Sequence, residues 1–206
     1  MIYYYANRPT LIPPDPENPL DPSSDYLDNL ERSGQYVAEQ KWNGDNTLWH
    51  TDTNVFWNRK HEKLKYQPTN PDMPDQMREE LEEWRKAAGH AIINFETVHS
   101  KTTDVKHLLI VHCIMAWQGE YLIGKKWGDS RNILDECINN GLSGEHVRVS
   151  KLWRTGFWDL FQAADGKIHE GIVLKDPNGK LLFTTTMPRD VSWMLKVRKP
   201  CKKYSF

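Results

Sequence analysis

One lysine of the chain lies where a nucleophile could be built. Lys41 ends a β-rich segment and comes directly before the turn formers Asn43 and Gly44, with Glu39 two residues upstream. A lysine attacks only as the neutral amine, and its ordinary pKa is about 10.4, so the site must depress that pKa. Neighbouring cations do this, because one positive charge disfavours a second. Taken alone, however, a lysine before a glycine turn is usually a solvated surface charge.

Further charged groups follow Lys41 in a fixed order. They are Arg59, then Asn94-Phe95-Glu96, then Glu170-Gly171-Ile172-Val173-Leu174-Lys175, and last Lys196-Val197-Arg198. Cations from the later groups could neutralise the charge of a phosphate during attack, and a carboxylate such as Glu170 suits Mg²⁺, which prefers oxygen ligands. Each group alone has an ordinary explanation as a strand-edge acid or a solvated cation. Only the ordered combination is informative.

Several common classes of enzyme lose their usual support. The sequence has no GxxxxGK[ST], GxSxG, HExxH or GxGxxG, and the stretch 124–128 lacks the spacing and the hydroxyl of a phosphate loop. Cys113, Cys137 and Cys201 are widely separated and show no CxxC spacing, so we expect reduced thiols rather than disulfides or a zinc site.

Composition indicates one intracellular domain. The 206 residues carry a formal net charge of −1, and no apolar run approaches the roughly 18 residues of a membrane helix. The N-terminus lacks the features of a secretory signal, so we expect a cytoplasmic protein, with a monomer as the default. Positive charge is concentrated in KVRKPCKK (196–203), where five of eight residues are cations.

The elements that position these residues follow from periodicity and turn signals. Prolines concentrate between residues 7 and 22, which predicts an irregular strap over 1–35. We predict helices over 72–89, 129–140 and 157–164, and strands over 36–42, 47–50, 55–58, 91–98, 108–117, 169–175, 181–186 and 193–198. The first three strands should form hairpins, as should those on either side of Pro177-Asn178-Gly179. Strands that pair with sequence neighbours indicate an α+β fold with two antiparallel sheets and flanking helices.

The ordered series resembles the covalent nucleotidyltransferase superfamily, which contains ATP-dependent DNA ligases, RNA ligases and mRNA capping enzymes. The resemblance covers about residues 36–206. Residues 41–44 resemble the Lys-x-Asp-Gly nucleophile motif, and EGIVLK (170–175) and KVR (196–198) resemble later motifs. The stretch LLIVHCIMAWQGEYLIG, with the helix that carries Arg131, is similar to the part of these ligases that holds the nucleotide base. The implied fold is a nucleotidyltransferase (ATP-grasp-like) fold around an ATP groove.

The resemblance implies a role for each group. Lys41 would take AMP from ATP, with Glu170 binding Mg²⁺ or Mn²⁺ and Glu39 lying near the adenine. His112 would stack on the purine, and Glu96 and Arg59 would hold the ribose and phosphate. The full set of nucleotide-binding residues would be Glu39, Gln40, Asn46, Arg59, Glu96, His112, Lys175, Lys196 and Arg198.

The implied activity is polynucleotide ligation, with a nick in duplex DNA as the favoured substrate. The stretch EGIVLKDPNGKL and the C-terminal residues resemble small viral and bacterial DNA ligases. Asn43 stands where the family usually has aspartate, and Asn46 stands where many DNA ligases have arginine, which resembles one branch of RNA ligases. An RNA ligase is therefore the first alternative. A noncatalytic module that binds nucleotides or nucleic-acid ends is the second, and a capping guanylyltransferase fits less well.

The end of the chain adds one expectation. Ligases of this family continue into an OB-fold domain, and here we expect none, because the sequence stops eight residues after Arg198. The basic residues Lys199, Lys202 and Lys203 would then contact the phosphates of the nucleic acid.

Overall fold

The computed structural model describes residues 5–12, 24–187 and 189–199. Its strands are β1 (Asn7–Leu11), β2 (Val37–Trp42), β3 (Asp45–His50), β4 (Val55–Asn58), β5 (Ile92–Val98), β6 (Leu108–Trp117), β7 (Glu120–Tyr121), β8 (Val147–Val149), β9 (His169–Lys175) and β10 (Arg189–Arg198). Its helices are α1 (Ser24–Arg32), α2 (Asp75–Ala88), α3 (Trp127–Asn139) and α4 (Phe157–Gln162). Within these ranges, no helix is long and apolar enough to cross a membrane.

The chain divides into two compact units, each built from several segments. The first unit comprises Met1–Asn7, Gly44–Ser150 and Lys180–Arg189. The second comprises Arg8–Asn43, Lys151–Gly179 and Asp190–Phe206. The prediction that residues 1–206 form a single domain stays a prediction.

The first unit contains a six-stranded sheet. The strand order is β4-β3-β5-β6-β7, and β8 pairs with β6 on the other part of that strand. Strands β5 and β6 are almost continuously buried, as their runs of β-branched and aromatic residues predict. Helix α2 buries Met77, Leu81, Trp84 and Ala88, which recur at helical spacing. The sheet is not wholly antiparallel as predicted, because β8 runs parallel to β6.

The second unit contains a four-stranded sheet in the order β1-β10-β9-β2. Successive side chains of a strand point to opposite faces, so one face can be apolar while the other carries charge. The apolar face supplies Ala38, Ile172, Leu174 and Val197 to a buried cluster, together with Leu27 of α1 and Phe157 and Phe161 of α4. The opposite face is left to the charged residues of the predicted site.

Two predicted hairpins are wrong. Strand β2 pairs with β9 and not with β3, so the turn over 43–44 joins strands of different sheets. Residues 181–186 form no strand, because both edges of β9 are already occupied by β2 and β10. The backbone of that segment bonds elsewhere: the Leu181 amide donates to Lys125 O at 2.9 Å, and the Leu182 amide donates to Asn7 Oδ1 at 3.0 Å. Its donors are therefore satisfied without a sheet.

The predicted irregular strap contains two regular elements. Strand β1 lies at the edge of its sheet, and an edge strand tolerates a proline such as Pro9, whose missing donor can face away from the ladder. Helix α1 has Asp25 in its first turn and Arg32 in its last, which suits the helix dipole, and it buries Leu27 completely. The prolines between residues 13 and 22 lie outside the described residues.

Candidate active site

The charged face of the second unit brings together motif residues that are far apart in sequence. Across the antiparallel ladders, Lys41 of β2 lies opposite Gly171 of β9, and Gly171 lies opposite Arg198 of β10. Two residues further along β9, Val173 lies opposite Lys196, and residues two apart on a strand share a face. Opposite residues share a face of the sheet, so Lys41, Lys196 and Arg198 project to the same side.

Glu170 connects two of these cations. Lys41 Nζ donates a hydrogen bond to Glu170 Oε2, and Arg198 Nη2 lies 3.2 Å from the same oxygen. The side chains of Lys41 and Glu170 are 15% and 13% exposed, so this ion pair is largely shielded from water but still reachable. The structure therefore brings Lys41, Glu170 and Arg198 together in one cluster.

Gly171 allows this close approach. Its φ is +143°, and a Cβ built there would lie 2.0 Å from Val197 O. Only glycine fits such a backbone against β10. The glycine of EGIVLK thus sets the separation of the strands that carry Glu170 and Arg198.

Lys196 has an electrostatic environment that suits a phosphate-binding site. Burial lowers the pKa of Lys196 below its ordinary value, and Arg198 and Lys41 lower it further, while Asp190 acts in the opposite direction. These positive charges repel one another in a partly dry site, and a bound polyphosphate would offset that repulsion.

Lys175 and Glu39 form a separate, deeply buried ion pair. Lys175 Nζ lies 2.6 Å from Glu39 Oε2, and the two side chains are 3% and 4% exposed. Glu39 Oε1 is also buried and has no hydrogen-bond partner among the residues that the structure describes. Lys175 thus lies against Glu39, and its predicted contact with phosphate stays a prediction. The open oxygen is unusual, because buried polar atoms are normally paired.

Asn43 has a structural explanation. Its side-chain Nδ2 donates to Lys167 O at 2.8 Å, and its backbone amide donates to Ile168 O at 2.9 Å. An aspartate at this position would present an acceptor to that carbonyl. The amide therefore ties the turn after Lys41 to the segment that precedes β9.

The first unit assembles a second group of predicted residues. Asn46 Nδ2 lies 3.5 Å from His112 Nε2, and Asn94 Nδ2 donates to Asn46 Oδ1 at 3.3 Å. Asn94 is buried on β5, and the sequence assigned it no role of its own. Glu96 Oε1 accepts the backbone N–H of Gly44 at 3.0 Å.

Two residues of the first unit that carry no motif also hold the segment after Gly44. Lys101 Nζ lies 2.9 Å from Asp45 Oδ1 and also donates to Gly44 O, while Ser100 Oγ donates to Asp45 Oδ2 at 3.0 Å. No sequence signal identified them, because they act from a loop after β5 that only the fold brings to this turn.

Each of the other predicted residues has a different environment. Arg131 is buried and donates to Ser150 O at 2.6 Å and to Asp135. Arg59 is exposed, and Gln40 lies opposite Ile172, whose side chain belongs to the apolar face. Lys199 Nζ lies 4.9 Å from the centre of the Phe161 ring. Lys202 and Lys203 lie outside the described residues.

Glu170 fits a divalent cation only in company with a substrate. Among the described residues, no three acidic, histidine or cysteine side chains converge in a way that could hold a metal ion. Mg²⁺, however, is commonly bound by one or two carboxylates together with substrate phosphates and water. The single carboxylate of Glu170 is compatible with that mode.

Known proteins resemble the chain in fold. No family model and no curated protein match its sequence. The ligase domain of M. tuberculosis LigD superposes with a TM-score of 0.60 at 16% identity, covering 81% of this chain and 54% of that domain. Mycobacterial DNA ligase D complexed with ATP and MES superposes with a TM-score of 0.58 at 16% identity, covering 81% of this chain and 55% of that chain. Chlorella virus DNA ligase-adenylate superposes with a TM-score of 0.50 at 13% identity, covering 93% of this chain and 69% of that chain.

The chain therefore has the α+β fold of the nucleotidyltransferase domains of ATP-dependent ligases, which confirms the predicted fold class. It spans only a little more than half of the first two structures. At these identities the likeness concerns the fold, and activity has to be argued from the residues.

Proposed function

We propose that the chain is a nucleotidyltransferase domain of an ATP-dependent polynucleotide ligase, with Lys41 as the residue that becomes linked to AMP. The observation that carries this proposal is the shielded cluster in which Glu170 contacts both Lys41 and Arg198. A lysine amine, a carboxylate and cations in one place are the groups that nucleotidyl transfer to lysine requires.

The first reaction follows from these groups. Lys41 first releases one proton to water and so becomes the neutral amine. Its Nζ then attacks the α-phosphorus of ATP: a nitrogen–phosphorus bond forms, the bond from the α-phosphorus to the oxygen that bridges to the β-phosphate breaks, pyrophosphate leaves, and a second proton passes from Nζ to water. Glu170 accepts a hydrogen bond from Nζ and so orients the amine. Arg198 and Lys196 stabilise the negative charge that develops on the phosphate oxygens. A divalent cation held by Glu170 and the phosphates would supply further charge neutralisation.

The buried pair supports ATP as the nucleotide. Glu39 Oε1 is an acceptor without a partner among the described residues. Adenine offers an amino group to such an acceptor, whereas guanine presents a carbonyl oxygen at that position, and an unpaired buried acceptor rejects it. Glu39 would therefore read the base. The other proposed nucleotide contacts are Gln40, Asn46, Arg59, Glu96, His112 and Lys175.

The test of this step is covalent labelling with α-labelled ATP and Mg²⁺. We expect the wild type to become labelled, Lys41→Arg to remain unlabelled, and α-labelled GTP to give little product. Lys167→Arg, which changes an exposed neighbour in the same way, should label normally. An unlabelled wild type would indicate a noncatalytic nucleotide-binding module instead.

The proposal continues with two further steps on nucleic acid. AMP passes from Lys41 to a 5′-phosphate, and a 3′-hydroxyl then attacks that activated end, seals the strand and releases AMP. We propose a nick in duplex DNA as the substrate, because the stretches around EGIVLK and KVR resemble those of small DNA ligases. Asn46, which stands where many DNA ligases have arginine, favours RNA as the alternative substrate.

Sealing assays separate the two substrates. Nicked duplexes made entirely of DNA, entirely of RNA, or with one strand of each type would be compared under identical conditions. DNA is supported by efficient sealing of the all-DNA nick. A strong preference for an RNA 3′-hydroxyl strand would make the protein an RNA ligase.

A further inference from the structure

The turn that follows β4 carries a concentration of positive charge, of which only Arg59 is among the proposed nucleotide contacts. Within residues 59–65, four cations accompany one acid, in a chain whose net charge is −1. The cations are Arg59, Lys60, Lys63 and Lys65, and all are exposed. None of the four forms an ion pair with a residue in the described part of the chain. We call residues 58–65 the β4 basic turn.

The β4 basic turn is firmly built. Asn58 Oδ1 accepts the backbone N–H groups of Lys60 and Glu62 at 2.8 and 3.1 Å, and Asn58 Nδ2 donates to Glu62 Oε2 at 3.0 Å. The backbone amide of Asn58 also donates to Glu62 O at 2.8 Å. The single acid is therefore held by the turn itself. Cations on an ordered turn lose less conformational freedom on binding than cations on a tail.

The returning segment is fixed against β4. Lys63 pairs with Trp57 in an antiparallel bridge, and the Leu64 amide donates to Phe56 O at 3.0 Å. Lys63 Nζ lies 5.7 Å from the centre of the Trp57 ring. A partly exposed indole among cations suits a nucleic acid, because phosphates pair with the lysines while a base or sugar can pack on the ring.

These features favour nucleic acid over a membrane surface. Membrane-binding segments combine basic residues with large apolar side chains that enter the lipid. The exposed large hydrophobic residues of the described chain lie elsewhere: Leu11, Tyr26, Ile123, Ile138 and Met187.

We propose that the β4 basic turn binds the sugar-phosphate backbone of the polynucleotide substrate, through Lys60, Lys63 and Lys65. This inference rests on the proposed ligase function.

The experiment compares two triple variants. In the first, Lys60, Lys63 and Lys65 are changed to Gln; Arg59 is left intact because it is a proposed nucleotide contact. In the control, Lys86, Lys151 and Lys180 are changed to Gln. These lysines are also exposed, and Lys151 Nζ lies 5.0 Å from the Trp153 ring, which matches the Lys63–Trp57 contact. Binding of a fluorescein-labelled nicked DNA duplex is measured across a salt series, alongside labelling by α-labelled ATP.

We expect the first variant to bind the nicked duplex at least about 10-fold more weakly than the control, with a salt slope lower by about 2 to 3, because each phosphate contact contributes about 0.9. Labelling of Lys41 should equal that of the control. Equal binding by both variants would overturn the inference while leaving the adenylation proposal standing. The inference would also be overturned if phosphatidylserine vesicles, and not the duplex, bound the wild type and were lost from the first variant.

Discussion

The buried pair of Lys175 and Glu39 gives the most demanding stability prediction. Changing Lys175 to Met leaves the Glu39 carboxylate buried without its cation. Even in the wild type, Glu39 Oε1 has no hydrogen-bond partner among the described residues. Removing one member of a buried ion pair costs about 3–5 kcal/mol. For a chain of this size, each kcal/mol lowers the melting temperature by about 2–4 °C, so we expect a fall of roughly 6–20 °C.

Urea denaturation and thermal melting would both measure this loss. The double variant Glu39→Met with Lys175→Met should be more stable than Lys175→Met alone, because it removes the stranded charge. Lys180→Met, at an exposed position, should change the free energy of unfolding by no more than about 0.5 kcal/mol. A loss of less than about 1 kcal/mol for Lys175→Met would refute the reasoning.

Three further predictions concern single residues. Burial lowers the pKa of His50 from 6.5 to about 4. As the pH falls, His50 therefore takes up a proton in the unfolded chain before it does so in the folded protein. The free energy of unfolding is full above pH 6.5 and declines toward pH 4 by about 3 kcal/mol. Melting curves of His50→Phe should lack that part of the decline, and a pH profile equal to that of the wild type would contradict the lowered pKa of His50. Gly171→Ala should lower the unfolding free energy in urea by at least about 2 kcal/mol, because the new Cβ would meet Val197 O at a strained φ; a fully stable variant would show that β10 can move away. Asn43→Asp should cost about 1 kcal/mol in the same measurement, since the donor to Lys167 O is lost, and added stability would count against that hydrogen bond.

Local sequence patterns predicted most of the secondary structure. The alternation in β2, β9 and β10 and the helical spacing in α2 are properties of a few adjacent residues, so periodicity alone identified them. The partners of the strands were harder. Whether residues 181–186 pair with β9 depends on which edges of β9 are free, and that is decided by β2, more than a hundred residues earlier.

The site shows the same division. The order of the motifs along the chain predicts Lys41, Glu170 and Arg198 as site residues, and the fold places both cations against Glu170. The bond between Lys175 and Glu39 joins residues 136 positions apart, and only the register of β2 on β9 determines it. The donation from Asn43 to Lys167 was missed for the same reason, because no local pattern specifies which carbonyl an exposed amide will meet.

Peptide mapping by mass spectrometry tests the central proposal most directly. The protein would be incubated with ATP and Mg²⁺, digested, and searched for AMP attached to any side chain. We expect AMP on the peptide that contains Lys41, bonded to Nζ and sensitive to acid as a phosphoramidate is. AMP attached to a different residue, or no adduct from protein that is folded and binds ATP, would contradict it.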